Sequence, residues 1–196
     1  MMEKKSNAPR RNAPRRTARP RRPGDADRDA LVARIVRVDH AGEYGARRIY
    51  EGQAAVLGTG PAGQKIRRMY EQELQHLRHF EKLMAERHVR PTALQPLWHV
   101  TGFALGAATA LMGERAAMAC TVAIEEVIDE HYAGQTAALG DDEAPLRATI
   151  EDFRQDELEH RDTALDAGAA EAPAYPVLNA AIKAGSRLAI WLSERI

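Results

Sequence analysis

A chain of 196 residues, 29% charged and 5% aromatic, is long enough for one hydrophobic core and implies one domain, or at most two. Its single cysteine, Cys120, excludes an internal disulfide framework, and the lack of a cysteine cluster argues against structural zinc or iron–sulfur chemistry. The formal net charge is zero, but residues 1–24 carry nine Lys or Arg against Glu3 alone, which is +8 and leaves −8 for the remainder.

That basic arm interleaves its cations with Pro9, Pro14, Pro20 and Pro23 and has almost no apolar side chains. It is therefore expected to stay disordered, outside a folded domain spanning 25–196. The arm lacks the apolar stretch of a secretory signal; such a tail attracts anionic lipid or nucleic acid, or is simply solvated. Asp25 or Asp27 can cap a first helix that runs to about Leu57, with Leu31, Ile35 and Val38 on its apolar face. The breaker cluster Gly58-Thr-Gly-Pro61 precedes a second helix, about Ala62 to Val89, which Arg90-Pro91 ends.

Residues 91–113 hold no Asp, Glu, Lys or Arg, twenty-three in a row, nominally enough to cross a bilayer. Their Gly and Ala content from Trp98 to Met112 better suits a helix lying in a membrane surface, or one packed inside the protein. A fourth helix, about Glu114 to Leu139, and a fifth, roughly 143–167, are separated by Gly140-Asp-Asp142. The last helix, about Pro176 to Ile196, sets Lys183, Arg187 and Arg195 in a stripe beside Trp191 and several aliphatics. That pattern suits an anionic membrane face, although a domain helix with solvated cations has the same appearance. No long alternating run of β-branched residues occurs, so the fold class is all-α.

The chemistry rests on a pattern that occurs twice. Glu73-Leu-Gln-His76 and Glu157-Leu-Glu-His160 are each preceded by a lone Glu, Glu43 thirty positions earlier and Glu125 thirty-two. Each lone Glu is followed by Tyr at +7 and Gln at +10: Tyr50 and Gln53, then Tyr132 and Gln135. Residues three apart on a helix share a face and differ by roughly 4.5 Å in rise, so one Glu-x-x-His can serve one metal or bridge to a second. Four carboxylates and two imidazoles in this order are the ligand set of a di-iron or di-manganese centre inside a four-helix bundle. A single Glu-x-x-His arises readily on a solvated helix; two, each with an upstream Glu, do not.

The repeat extends past these residues. Pro96-Leu-Trp98 leads to Gly113-Glu-Arg115, and Pro176-Val-Leu178 leads to Ser193-Glu-Arg195, nineteen positions from Pro to Arg in both. The chain thus comprises two three-helix units, and pseudo-twofold symmetry is expected with the metal pair near the axis. Tyr50 and Tyr132 read as core tyrosines with satisfied hydroxyls, ligand ordering or electron relay being the alternative. His131 is a candidate to act behind the ligands, whereas His40, His79, His88 and His99 read as structural or exposed.

Longer strings carry a resemblance. Asp39-His-Ala-Gly-Glu-Tyr-Gly-Ala46, Arg48-Ile-Tyr50, Arg90-Pro-Thr92, Gly102-Phe-Ala-Leu-Gly106, Met118-Ala-Cys-Thr-Val-Ala-Ile-Glu-Glu126 and Leu192-Ser-Glu-Arg195 closely resemble the demethoxyubiquinone hydroxylases of ubiquinone biosynthesis, over about residues 30–196. The resemblance implies a ferritin-like four-helix bundle with two additional helices. It also implies a monooxygenase with two iron ions per chain, bound peripherally to the cytoplasmic face of the inner (cell) membrane. Its ligands fall on Glu43, Glu73, His76, Glu125, Glu157 and His160, with no further catalytic or cofactor-binding residue. The implied partners are a polyprenyl quinone, O2 and a lipid surface. A homodimer or a ubiquinone-biosynthesis complex is left open, and no nucleic acid is expected.

Two electrons must be supplied, and no Gly-rich dinucleotide fingerprint follows a strand, so a nicotinamide, a partner protein or the quinol itself remain as donors. An iron-storage protein or a manganese catalase shares the ligand pattern but has no use for the uncharged helix. A non-catalytic quinone-binding or assembly protein would need that helix and not six intact ligands.

Overall fold

Helix boundaries follow local signals in the computed structural model, which describes residues 25–196; the arm expected over 1–24 lies outside the described residues. The six helices are α1 (Asp25–Leu57), α2 (Pro61–Arg87), α3 (Gln95–Leu111), α4 (Glu114–Ala138), α5 (Ala144–Asp166) and α6 (Tyr175–Ser193), with no strand among the described residues. Proline occupies the first turn of α2, α3, α5 and α6, where its missing N–H has no helical partner to lose. α2 stops at Arg87, two residues short of the expected end. His88 turns left-handed (φ 54°), and its N–H and that of Val89 both bond Met84 O, closing the orphan carbonyls.

The chain folds as a ferritin-like bundle. α1 pairs with α2 and α4 with α5, while α3 packs on α1 and α6 on α4, each also touching the opposite half. This is the expected duplication: a Glu helix, a Glu-x-x-His helix and an outer helix, twice. Along the bundle, one apolar cluster (Val32, Ile35, Val36, Phe80, Ile128, Ile150) and a second (Tyr50, Ile66, Met69, Met118, Val122) flank a polar layer. Burying each large aliphatic or aromatic side chain contributes about 1.5–3 kcal/mol, and such burial must offset the desolvation of that layer.

The outer helix α3 lies backbone to backbone on α1. A Cβ on Gly106 would come within 1.9 Å of Ile49 O, and one on Gly52 within 2.2 Å of Phe103 O. Only Gly102, Gly106, Thr109 and Ala110 of α3 are buried, and Val100 (64%) and Leu111 (76%) stand exposed. Plain burial of this helix is therefore overturned. So is crossing a bilayer: α3 has 17 residues, about 25 Å against a hydrocarbon core of about 30 Å. Residues 91–94 and Met112–Gly113 lie outside the helix instead, Gly113 taking φ 114°, and no helix among the described residues is long and apolar enough to cross a membrane.

The basic stripe of α6 also differs from expectation. Lys183 pairs with Glu126, and Arg187 with Glu130 at 2.9 Å, so these cations face the acids of α4 rather than rimming an apolar surface. Arg195 stacks on Trp191, 4.2 Å from the ring centroid, and Trp191 is half exposed. Spacing alone could not show which neighbour the cations would meet.

Candidate metal centre

The polar layer is built by one lone carboxylate or one carboxylate–imidazole pair from each bundle helix: Glu43 on α1, Glu73 and His76 on α2, Glu125 on α4, Glu157 and His160 on α5. None of the six is more than 2% exposed. They form two overlapping groups whose donor atoms lie within 4.8 Å of one another: Glu43, Glu73, His76 and Glu157, and Glu73, Glu125, Glu157 and His160. Glu73 and Glu157 belong to both, as bridging ligands would; Glu43 and Glu125 each belong to one, as terminal ligands would.

The partners of individual atoms repeat this division. Glu73 and Glu157 have both carboxyl oxygens buried without a hydrogen bond, whereas Glu43 and Glu125 each have only Oε2 so. The other oxygen is taken by a phenol from the opposite half: Tyr132 donates to Glu43 Oε1 and Tyr50 to Glu125 Oε1. The tyrosines are buried and satisfied, as expected, and they also hold the terminal carboxylates, which was the alternative reading. Both imidazoles likewise leave Nδ1 without a hydrogen bond and facing the carboxylates, at 3.2 Å from Glu157 for His76 and 3.2 Å from Glu73 for His160. Orphaned oxygens and Nδ1 atoms this deep would be costly in a structural core, and they suit divalent ions that prefer oxygen and imidazole donors.

Charge is strongly coupled here. Burial opposes a charge on His76, but contacts with Glu157 and Glu43 outweigh it and raise its pKa to about 12; contacts with Glu157 and Glu73 likewise bring His160 to about 11. Burial would raise Glu157, yet the two imidazoles hold it down at about 2. Burial first, and then the charge of Glu157, pushes Glu73 and Glu125 well above the usual carboxylate range.

The outer nitrogens of the two rings are also engaged. His76 Nε2 meets Asp156 Oδ2 at 2.9 Å, and His160 Nε2 meets Gln72 Oε1 at 3.0 Å. Phe153 stacks on His76 with centroids 4.0 Å apart. Asp156 and Gln72 escaped the sequence reading; the available signal was their shared place, one residue before the Glu of each Glu-x-x-His.

Of the remaining histidines, His131 lies 2.8 Å from Gln135 Nε2 and 3.8 Å from Asp39 Oδ1, in a network one helical turn from Glu43. Asp39 is itself buried, accepts from Gln135 at 2.6 Å, and is held well above its usual pKa by burial despite that bond. His99 bonds the Tyr44 hydroxyl at 2.7 Å, and His79 touches Phe80 and Phe153 edge-on; neither reaches the donor cluster.

An apolar cavity of about 570 Å³ lies between α1, α3, α4 and α6; none of the six donors lines it, but sequence neighbours of two of them do. Its lining includes Gly42 and Ile124, the residues just before Glu43 and Glu125, together with Leu105 and Ile182. Small residues make the room: nothing lies within 4 Å of a Cβ built on Gly42, Gly45 or Gly185. Trp98 Nε1 donates to Ser193 Oγ at 3.0 Å, tying α3 to α6 at one edge of this space.

Residues 30–193 match the model of a family described as ubiquinone biosynthesis protein COQ7. The chain belongs to that family. It is 61% identical over 183 residues to the 3-demethoxyubiquinol 3-hydroxylase of Rhodospirillum rubrum, covering 93% of this chain and 86% of the relative. Identity to the human NADPH-dependent mitochondrial 3-demethoxyubiquinone 3-hydroxylase is 55% over 171 residues, 85% of this chain and 79% of the relative. A more distant relative, the mitochondrial 5-demethoxyubiquinone hydroxylase of Saccharomyces cerevisiae, is 42% identical over 184 residues, 85% and 79% of the two chains.

Proposed function

We propose that this chain is a di-iron monooxygenase of ubiquinone biosynthesis, which hydroxylates the ring of a polyprenylated demethoxyubiquinone or its quinol. The observation that carries this reading is the pair of overlapping buried donor groups that share Glu73 and Glu157 beside an apolar cavity. Glu43, Glu73, His76, Glu125, Glu157 and His160 would hold two iron ions. Those ions would supply the activation of O2, one oxygen atom ending on the ring and the other in water, with two electrons from a reductant and two protons from solvent.

The chain's own residues do the rest. Tyr50 and Tyr132 fix the terminal carboxylates, and Asp156 and Gln72 turn Nδ1 of each imidazole inward. The apolar walls that α3 and α6 give the cavity fit a flat ring followed by an isoprenoid tail. Both helices also carry exposed apolar residues, Val100 and Leu111 on α3, Val177 and Leu188 on α6, so a tail leaving between them meets apolar surface. This supports peripheral attachment to a membrane with α3 and α6 against the lipid; flotation with liposomes checks it, and indifference to lipid would refute it.

The deciding experiment expresses the chain in cells lacking this hydroxylation step and identifies the quinones that accumulate. Restored ubiquinone, with about two irons per purified chain, is expected. Persistent demethoxylated precursor despite an iron-loaded protein would overturn the assignment.

A further inference from the structure

The two halves of the centre correspond closely until the outer nitrogens of the imidazoles. Asp156 and Gln72 occupy equivalent places, each one residue before a Glu of the repeated motif, and each bonds the histidine of the facing helix. Asp156 offers a carboxylate oxygen to His76 Nε2, and Gln72 a neutral amide oxygen to His160 Nε2. Both accept an Nε2–H and so fix the same tautomer, with Nδ1 toward the carboxylates. They differ in charge. An anionic acceptor draws on the Nε2 proton and raises the donor strength of Nδ1; an amide does so far less.

Among the described residues, the hydrogen bonds to the donor carboxylates themselves do not offset this difference. Each terminal carboxylate carries one phenol, and Glu73 and Glu157 serve both halves. Asp156 is 37% exposed, so water weakens its charge, but the ring it bonds is only 2% exposed.

We infer that Asp156 is a positioning residue that makes the His76 half of the centre the tighter metal site, so that the two halves fill in order. The Glu43–His76 half takes the first ion, and the Glu125–His160 half, backed by an amide, takes the second and loses it first. This rests on the metal reading above. It adds an inequivalence that the duplicated Glu-x-x-His motif does not contain.

Single-site variants separate the halves. Anaerobic calorimetric titration with Co2+ is run on Glu125→Ala, which retains the His76 donor group, and on Glu43→Ala, which retains the His160 group. Tighter binding is expected in Glu125→Ala. Adding Asp156→Asn, which keeps the shape and removes the charge, should weaken Co2+ binding there by about 10–100-fold and leave the Glu43→Ala background unchanged. Adding Gln72→Glu to Glu43→Ala should tighten it, a gain that a merely structural role would not give; circular dichroism confirms that each variant is folded. Equal loss in both backgrounds, or no loss in Glu125→Ala, would overturn the proposal. If the unmodified chain bound no Co2+ at all, the metal centre itself would fail, and this ordering with it.

Discussion

Metal loading should expel protons, and the buried groups set how many. His76 and His160, raised to about 12 and 11, hold protons at neutral pH that must leave before Nδ1 can bind an ion. Glu73 and Glu125, both pushed up by burial and by Glu157, contribute up to two more. Two divalent ions bring four positive charges to four carboxyl groups, so release of about two to four protons per chain leaves the layer near neutral. Since the slope of log affinity against pH equals the protons released, apparent affinity for the pair should rise about 10²- to 10⁴-fold per pH unit near neutrality.

The same shifts fix the stability of metal-stripped protein. His76 and His160 are raised, so their stabilisation is complete below about pH 6.5 and is lost as pH climbs toward 11–12. Glu73 and Glu125, also raised, begin to destabilise above about pH 4.5, while Glu157, depressed to about 2, stabilises above that pH. Stripped protein should therefore melt lower at about pH 9 than at about pH 6, and added metal should raise Tm more at the higher pH. Titration of Fe2+ or Mn2+ in two buffers of different ionisation enthalpy counts the protons. Fewer than about one proton per chain, or an affinity flat from about pH 6 to 8, would refute the charge analysis.

Tyr50→Phe and Tyr132→Phe each remove one hydrogen bond to a terminal carboxylate of the opposite half; a loss of about 1.5–3 kcal/mol in metal binding, measured by calorimetry, is expected for each. Glu157→Ala takes a donor from both groups and should abolish binding of the pair by metal analysis, while Glu43→Ala should retain one ion, with helicity unchanged in both. Gly106→Ala drives a methyl into Ile49 O and should cost about 1–3 kcal/mol, a fall in Tm of about 2–4 °C per kcal/mol by calorimetry. Gly185→Phe grows into the cavity, where nothing obstructs it; metal uptake should persist while quinone binding, followed by fluorescence quenching of Trp98, is lost.

What the sequence revealed was periodic. The six helices and the four-helix Glu/His pattern follow from spacing along one chain, because helical geometry converts spacing into direction. The relation between halves was less legible. Tyr50 follows Glu43 by seven residues on one helix, yet its hydroxyl reaches Glu125 on α4, and Tyr132 reaches back to Glu43. Asp156 and Gln72 were hidden for the same reason, since each supports a histidine of the other half. Spacing marks which positions recur in both repeats, but not which residue each one meets across the pseudo-twofold axis. The uncharged run at 91–113 left its neighbour open for a different reason: absence of charge shows that a segment avoids no apolar neighbour, without saying whether that neighbour is lipid, a cavity or another helix.

Crossed support has a consequence for how the centre depends on the fold. Glu43 and Glu125 are each held by a tyrosine of the other three-helix unit, and His76 and His160 each by a residue of the facing motif helix. Neither unit could therefore position a complete site alone, even though each supplies one Glu and one Glu-x-x-His. The outer helices are bound into the same logic: α3 rests on α1 through Gly106 and Gly52, α6 on α4, and the cavity exists only where both meet. A duplicated sequence has thus produced one indivisible centre. A shift of either outer helix changes the cavity walls first, and the six buried donors on α1, α2, α4 and α5 only afterwards.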